Sequence, residues 1–488
     1  MVLSSPFSAA GLLDIRGGAA IAAATSAASV TQKTGVFNVG LSNESLATLS
    51  MAMAMSMHFF GYEFARSATM TLLTSSRTGF KSNAALPFAL AFVCPASLAM
   101  LSIYTKVLDV AGPRAALKST AIFCSAGLSI FALVLRSLTL STPASSPPLP
   151  ITKFLVVSLF VFREAYVQLM ATQHWSFMGS VLDSSSGAKW FGPIAGASSI
   201  SSAVAGYAIG PLVNRFGVYG LLVLTSVSLL ASLLFAEGAY TIAERHGFNP
   251  ADQHKSSKSK SKGKPSSHES LISKADSLFK RVPALKWLFI ETLICQGLST
   301  VLNVTFISKL RAVLPSDADR AAWMGKFYAY ANMVSGFFQF GVIPLTIHHL
   351  KPAWVWTCLP LIMISFGVGQ ILKFPPTLIL TAGAFMTMKT IEYSVRGVVN
   401  ELLYVPLDFE SRYVGKEVIG MLGYRLGKSG TSLLLSAAGY ACELGLKELT
   451  FVSLGMSVLW LGSARKLTEY LPDTKIGRVS PGSKGRKH

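Results

Sequence analysis

The chain is dominated by long apolar runs, each about the length needed to cross a bilayer, and one polar basic stretch interrupts them near the middle. Twelve runs can be placed approximately: 45–73, 84–106, 115–137, 153–178, 188–213, 217–239, 285–308, 323–346, 353–373, 376–395, 414–441 and 448–465. A membrane-spanning helix needs about 20 mostly apolar residues, and these runs are continuous where a membrane β-barrel would alternate. The chain is therefore expected to be an all-α membrane protein. Composition agrees: charged residues make only 14% of 488, well below the quarter usual in soluble domains.

The interruption organises the rest. Residues 240–284 contain "KSSKSKSKGKPSS" and read as a basic disordered linker. It separates a first six-helix bundle, 44–239, from a second, 285–466. Residues 1–43 are rich in Ala, Ser and Gly and poor in acids, compatible with a disordered tail or an organelle transit peptide. Residues 467–488 form a basic C-terminal tail. The formal charge of +20 fits basic loops on one membrane side and attraction to anionic lipid, and places the linker and both termini in the cytosol or its equivalent. No folded soluble domain is left to bind nucleic acid.

Several function classes find no support. The five cysteines stand singly, without CxxC or His/Cys clustering, so no metal, cofactor or disulfide frame is expected. No Ser/His/Asp or paired-carboxylate pattern suggests an enzyme. "GMLGYRLGKSGTS" (420–432) has the look of a phosphate loop, but the first glycine of G-x-x-x-x-G-K-[ST] would have to stand at Leu422. The stretch reads instead as the start of an apolar helix carrying Arg425 and Lys428.

Ionisable groups inside spans are costly and usually face the bundle interior or a water-filled path. Here they fall in stripes at helical spacing: Tyr62, Arg66 and Thr69; Glu164, Gln168, Thr172 and Trp175; Lys389, Glu392 and Arg396; Glu417, Arg425, Lys428 and Ser432. Cations outnumber acids among them, which suits an anionic substrate, and phosphate matches both the planar fork of Arg and the point charge of Lys. The halves also share a trace of repetition. "ASSISSAVAGYA" (197–208) and "GTSLLLSAAGYA" (430–441) end identically and occupy equivalent places. With the six-plus-six layout this points to two repeats facing one another across a central path, a major-facilitator-like architecture.

The block "KTIEYSVRGVVNELLYVPLDFESRYVGKEVIGMLGYRLGKSG" (389–430) resembles a segment of the nucleotide transporters of plastids and intracellular bacteria, which include the ATP/ADP antiporters. "YTKV" (104–107), the helix around Glu164, "AKWFGPIAG" (188–196) and "WMGKF" (323–327) follow in the same order as in that family. The resemblance spans roughly 58–465 and implies ATP/ADP exchange by alternating access. Phosphates would be bound by Arg66, Lys389, Arg425 and Lys428, with Glu164 gating or orienting a cation. The bilayer would be a plastid or other organelle envelope, the partner a small anion, and the working unit a monomer. Glu401 also matches. The sequence departs from the family where Thr69-Met70, Asn303, Glu392, Asn400 and Thr431 stand. A carrier of another phosphorylated or carboxylated anion, and a non-transporting membrane scaffold on the same fold, are the alternatives.

Overall fold

The computed structural model describes residues 42–471, apart from 81–83, 144–145, 183, 248–276, 343–351, 397–399, 401–402, 404–418, 420–422 and 442–443. Within them the secondary structure is helical. The first half comprises α1 (Asn43–Thr74), α2 (Ala85–Ala91), α3 (Val93–Ser141), α4 (Pro150–Val181) and α5 (Ser184–Arg245). The second comprises α6 (Pro283–Val313), α7 (Asp317–Phe337), α8 (Pro352–Leu372), α9 (Leu378–Tyr393), α10 (Tyr424–Ala441) and α11 (Leu446–Thr468). A π-helical turn, Phe338–Val342, extends α7.

Two of these elements are folded pairs. A straight helix of 62 residues would reach about 93 Å, three times the hydrocarbon core of a bilayer. Gly217, with φ 70° and ψ 176°, breaks α5 instead. The contacts with α1 show the reversal. Ser201 donates to the Ser56 carbonyl, while beyond the break Thr225 donates to the Gly61 carbonyl and Ser232 to the Ala54 carbonyl. Both arms of α5 therefore lie at the same level of α1, with Gly217 midway between them. Gly112, at φ 83° and ψ 173° just before Pro113, divides α3 likewise. Positive φ of this kind is open to glycine and strained for other residues. These breaks fall where the sequence separates spans two from three and five from six.

Among the described residues, six helical stretches are apolar and long enough to cross a membrane: Ala85–Leu108, Val110–Ser141, Pro150–Met178, Pro193–Arg245, Pro283–Val313 and Ala353–Leu372. Twelve were expected. Pro193–Arg245 covers two of the expected runs, and the other five fall on α1, α7, α10 and α11, which carry Glu63 and Arg66, Asp317 to Lys326, Arg425 and Lys428, and Lys447 to Lys466, and on α9, which has only 16 residues. Charge is turned inward and apolar surface outward: Arg66, Arg163 and Arg396 are buried, while Leu133, Leu234, Phe154, Leu434 and Leu459 are exposed. That inversion of the soluble pattern is the mark of an integral membrane protein. The expected linker 240–284 is helical at both ends, to Arg245 and again over 277–281. Its centre, like residues 1–41 and 472–488, lies outside the described residues.

The repeated Ala-Gly-Tyr-Ala motif lies at two of the helix pairs along which the halves meet. On α5, a Cβ at Gly206 would stand 2.5 Å from the Gly325 carbonyl oxygen and 2.9 Å from Ala329 Cβ of α7. On α10, a Cβ at Gly439 would stand 2.8 Å from Ala84 Cβ, at the start of α2. Small residues let backbones approach closely where apolar burial cannot drive association. The same motif thus makes the same kind of contact in each half, as a repeat should.

Beyond these pairs, one end of the bundle is tied across the halves. Ser75 donates to Asp317 Oδ2 at 2.6 Å, and Arg311 donates to the Phe80 carbonyl at 3.1 Å.

Candidate functional site

Inside the bundle, ten charged side chains among the described residues form two networks and the ground between them. In the first half, Arg66 pairs with Glu63 one turn earlier on α1, and its guanidinium lies 3.3 Å from the centroid of the Tyr328 ring of α7. Asn332 of α7 donates to the other oxygen of Glu63 at 3.3 Å. A charge pair of α1 is thereby held by residues of the opposite half. On α4, Arg163 donates to the Tyr62 hydroxyl at 3.2 Å, and its Nη1 stands 2.5 Å from Glu164 Oε1.

The second half builds a denser network. Lys389 meets Glu392 at 2.7 Å, one turn on along α9. Glu392 accepts further bonds from Gln296 at 2.8 Å and Ser299 at 3.4 Å, both on α6. Just past the end of α9, Arg396 grips Glu291 of α6 through Nε at 3.1 Å and Nη2 at 2.6 Å. Arg396 also donates to Thr292 and to the Tyr424 hydroxyl, while Trp460 of α11 donates to Glu291 at 2.6 Å. Four helices or their ends are tied together by one carboxylate and one guanidinium.

Between the networks stand Arg425 and Lys428, on the first turns of α10. Lys428 lies within electrostatic range of Lys389 and Glu392 in its own half and of Glu164 in the other. Arg425 is also within range of Glu164. Gly427, between them, presses α10 onto α6: a Cβ there would stand 2.8 Å from the Leu293 carbonyl. Nothing crowds Gly430.

Of the five residues singled out from the sequence, Arg66, Glu164 and Lys389 are buried and Arg425 and Lys428 are half-buried. Lys428 comes within electrostatic reach of Glu164, Lys389 and Arg425; Arg66 joins through Tyr62, whose ring lies 5.3 Å from Arg66 and 5.8 Å from Arg163. A small cavity beside Leu73, Phe80, Leu86, Val304 and Arg311 touches none of the five. Glu401 and Glu417 lie outside the described residues. Three members of the networks escaped the sequence reading: Glu63, Arg163 and Glu291. Glu63 was legible from its i, i+3 spacing to Arg66, whereas the partner of Glu291 is 105 positions away. Of the departures from the family pattern, Thr69 bonds the Arg66 carbonyl, Asn303 is buried, and Thr431 packs beside Gly297.

The arrangement has known counterparts. Residues 370–470 match the family model described as TLC ATP/ADP transporter. ADP,ATP carrier protein 1 of Chlamydia trachomatis serovar D is 25% identical over 349 residues, 64% of each chain. The chloroplastic ADP,ATP carrier protein 2 of Arabidopsis thaliana is 25% identical over 217 residues, 36% of this chain and 32% of that one. The chain thus spans somewhat less than two thirds of the curated relatives it matches. Among solved structures, a point variant of the nucleoside transporter NupG superposes with a TM-score of 0.62 at 12% identity, covering 86% of this chain and 99% of that one. A D-xylose-proton symporter gives 0.59 at 12% identity, covering 89% and 99%. The fold is that of the major-facilitator transporters, and over residues 370–470 the chain is similar to the TLC ATP/ADP transporters.

Proposed function

We propose that this protein is a multi-pass transporter of anionic nucleotides that exchanges ATP for ADP by alternating access. The observation that carries the reading is that Glu164 of one half lies within electrostatic range of Arg425 and Lys428 of the other. Charges that attract across the boundary between two rocking halves can bind a substrate and report its presence to both. Six cations (Arg66, Arg163, Lys389, Arg396, Arg425 and Lys428) face four carboxylates (Glu63, Glu164, Glu291 and Glu392), so the centre has a positive surplus suited to a phosphate chain. The relatives' names and the matched family support the same substrate. Arg66, Lys389, Arg425 and Lys428 hold phosphates in this reading, Glu164 orients the cationic groups, and one chain is the working unit. The plastid relatives favour an organelle envelope as its membrane.

A second reading keeps the mechanism and changes the cargo to another phosphorylated or carboxylated anion. Thr69, Asn303 and Asn400, uncharged where the resembled family carries charge, favour it. Thermal-shift titration with ATP, ADP and AMP separates the two. The nucleotide reading expects protection in the order of phosphate number. No protection by any of the three at millimolar concentration would set it aside.

A further inference from the structure

Buried arginines here meet their surroundings in two ways. The guanidinium edge formed by Nε and Nη2 is the geometry that receives two oxygens side by side. In Arg396 that edge holds both oxygens of Glu291. In Arg163, equally buried, Nε and Nη2 have no hydrogen-bond partner, and the bond to Tyr62 uses Nη1. Glu164 does not fill the edge. Its Oε1 approaches Nη1, makes no hydrogen bond there, and has none elsewhere.

A guanidinium stays protonated at any ordinary pH, so its charge cannot be shed to relieve burial. Leaving two nitrogens of a buried cation without acceptors costs free energy, and native interiors rarely tolerate it without a use. Phe160 and Tyr62 offer their rings to the same guanidinium, at 4.7 and 5.8 Å, which stabilises the charge without using the edge. Arg66, with Nε and Nη1 likewise unpartnered, also stands against the Tyr62 ring, at 5.3 Å. The two guanidinium carbons are therefore no more than about 11 Å apart, the two ring distances laid end to end.

We propose that the Nε/Nη2 edge of Arg163 is a phosphate seat of the transported anion, with Glu164 as its resident counter-charge. This rests on the reading of the centre as an anion site and names a residue within it. On binding, two phosphate oxygens take the edge as the Glu291 carboxylate does at Arg396. Glu164, with Arg163 now neutralised by phosphate, is drawn more strongly toward Lys428 and Arg425 of the opposite half. Binding at one half is thereby felt at the other.

The test is titration calorimetry of the purified full chain with pyrophosphate, ADP and ATP, on wild type, Arg163→Lys, Arg163→Gln and Glu164→Gln. Arg163→Lys keeps the charge and loses the edge, so pyrophosphate should bind about tenfold or more weakly. Glu164→Gln removes the competing charge and should bind pyrophosphate several-fold more tightly than wild type. A merely structural Arg163 predicts no such gain. Arg163→Lys binding as wild type does, or Glu164→Gln binding more weakly, overturns the seat, as does a wild type that takes up no pyrophosphate. If Arg163→Gln fails to fold, the other two variants decide. Pyrophosphate responding as stated while no nucleotide binds would leave the seat standing and defeat the nucleotide reading; nucleotides binding wild type and Arg163→Lys alike would do the reverse.

Discussion

The two halves treat buried charge differently. In the second, Glu291, Lys389, Glu392 and Arg396 each find partners: Glu291 receives Arg396 and Trp460, and Glu392 receives Lys389, Gln296 and Ser299. In the first, Arg66, Arg163 and Glu164 are as deeply buried yet keep polar atoms without partners. A satisfied network rigidifies its surroundings, and an unsatisfied one waits for something to complete it. The second half thus has the character of a braced wall, the first that of a receiving surface. Lys428, at the start of α10, stands where the two confront each other.

The largest effect that tests this contrast is on stability. Removing one partner of a buried ion pair costs about 3–5 kcal/mol, because the other charge stays behind. Glu291→Ala should lose that much, together with most of its abundance in membranes, as judged by denaturation of the purified protein. Glu63→Gln should cost visibly less, since Arg66 keeps the face of Tyr328. Equal losses from both would erase the distinction between the halves.

Next comes Lys428→Ala, expected to weaken a triphosphate more than a monophosphate. Charge-assisted hydrogen bonds contribute about 1.5–3 kcal/mol each, or about ten- to over a hundredfold in affinity. Lys428→Arg should restore part of this, because a broad fork does not replace a compact ammonium beside a glycine packed on α6. Uniform weakening across AMP, ADP and ATP would indicate a general loss of fold.

A smaller effect is expected at the boundary between the halves. Gly206→Ala sets a methyl against the Gly325 carbonyl, a backbone atom that cannot swing aside, and overpacking of that kind costs about 1–3 kcal/mol. Transport should slow while nucleotide affinity holds. Ser75→Ala is the mildest: it deletes the hydroxyl bond to Asp317 and should shift the balance between outward and inward states by about 1 kcal/mol, roughly fivefold. Cysteine accessibility of introduced reporters on either side would read that shift.

Much of this was open to a reader of the sequence, and the reason differs from place to place. The spans, the breaks near Gly112 and Gly217 and the Ala-Gly-Tyr-Ala echo are local signals, set by chain length per bilayer and by glycine chemistry. Glu164, Lys389 and Lys428 stood out because charge in an apolar run is itself unusual. Arg163 did not, since its neighbour Glu164 occupied the stripe, and adjacent residues on a helix point about 100° apart. Its relevance depends on which of its N–H groups have partners, which no spacing reveals. Glu291 waited on Arg396 and Trp460, residues brought together only by the packing of α6 on α11 and the end of α9.

Counter-flow in proteoliposomes puts the proposed nucleotide exchange to the plainest test. Purified protein is reconstituted in vesicles loaded with ADP, labelled ATP is supplied outside, and uptake is followed with and without internal ADP. The account predicts uptake that requires ADP inside and falls about tenfold or more in Lys428→Ala, in keeping with the loss of one charge-assisted bond. Vesicles that take up no ATP whatever they contain, or uptake that Lys428→Ala leaves unchanged, would contradict it.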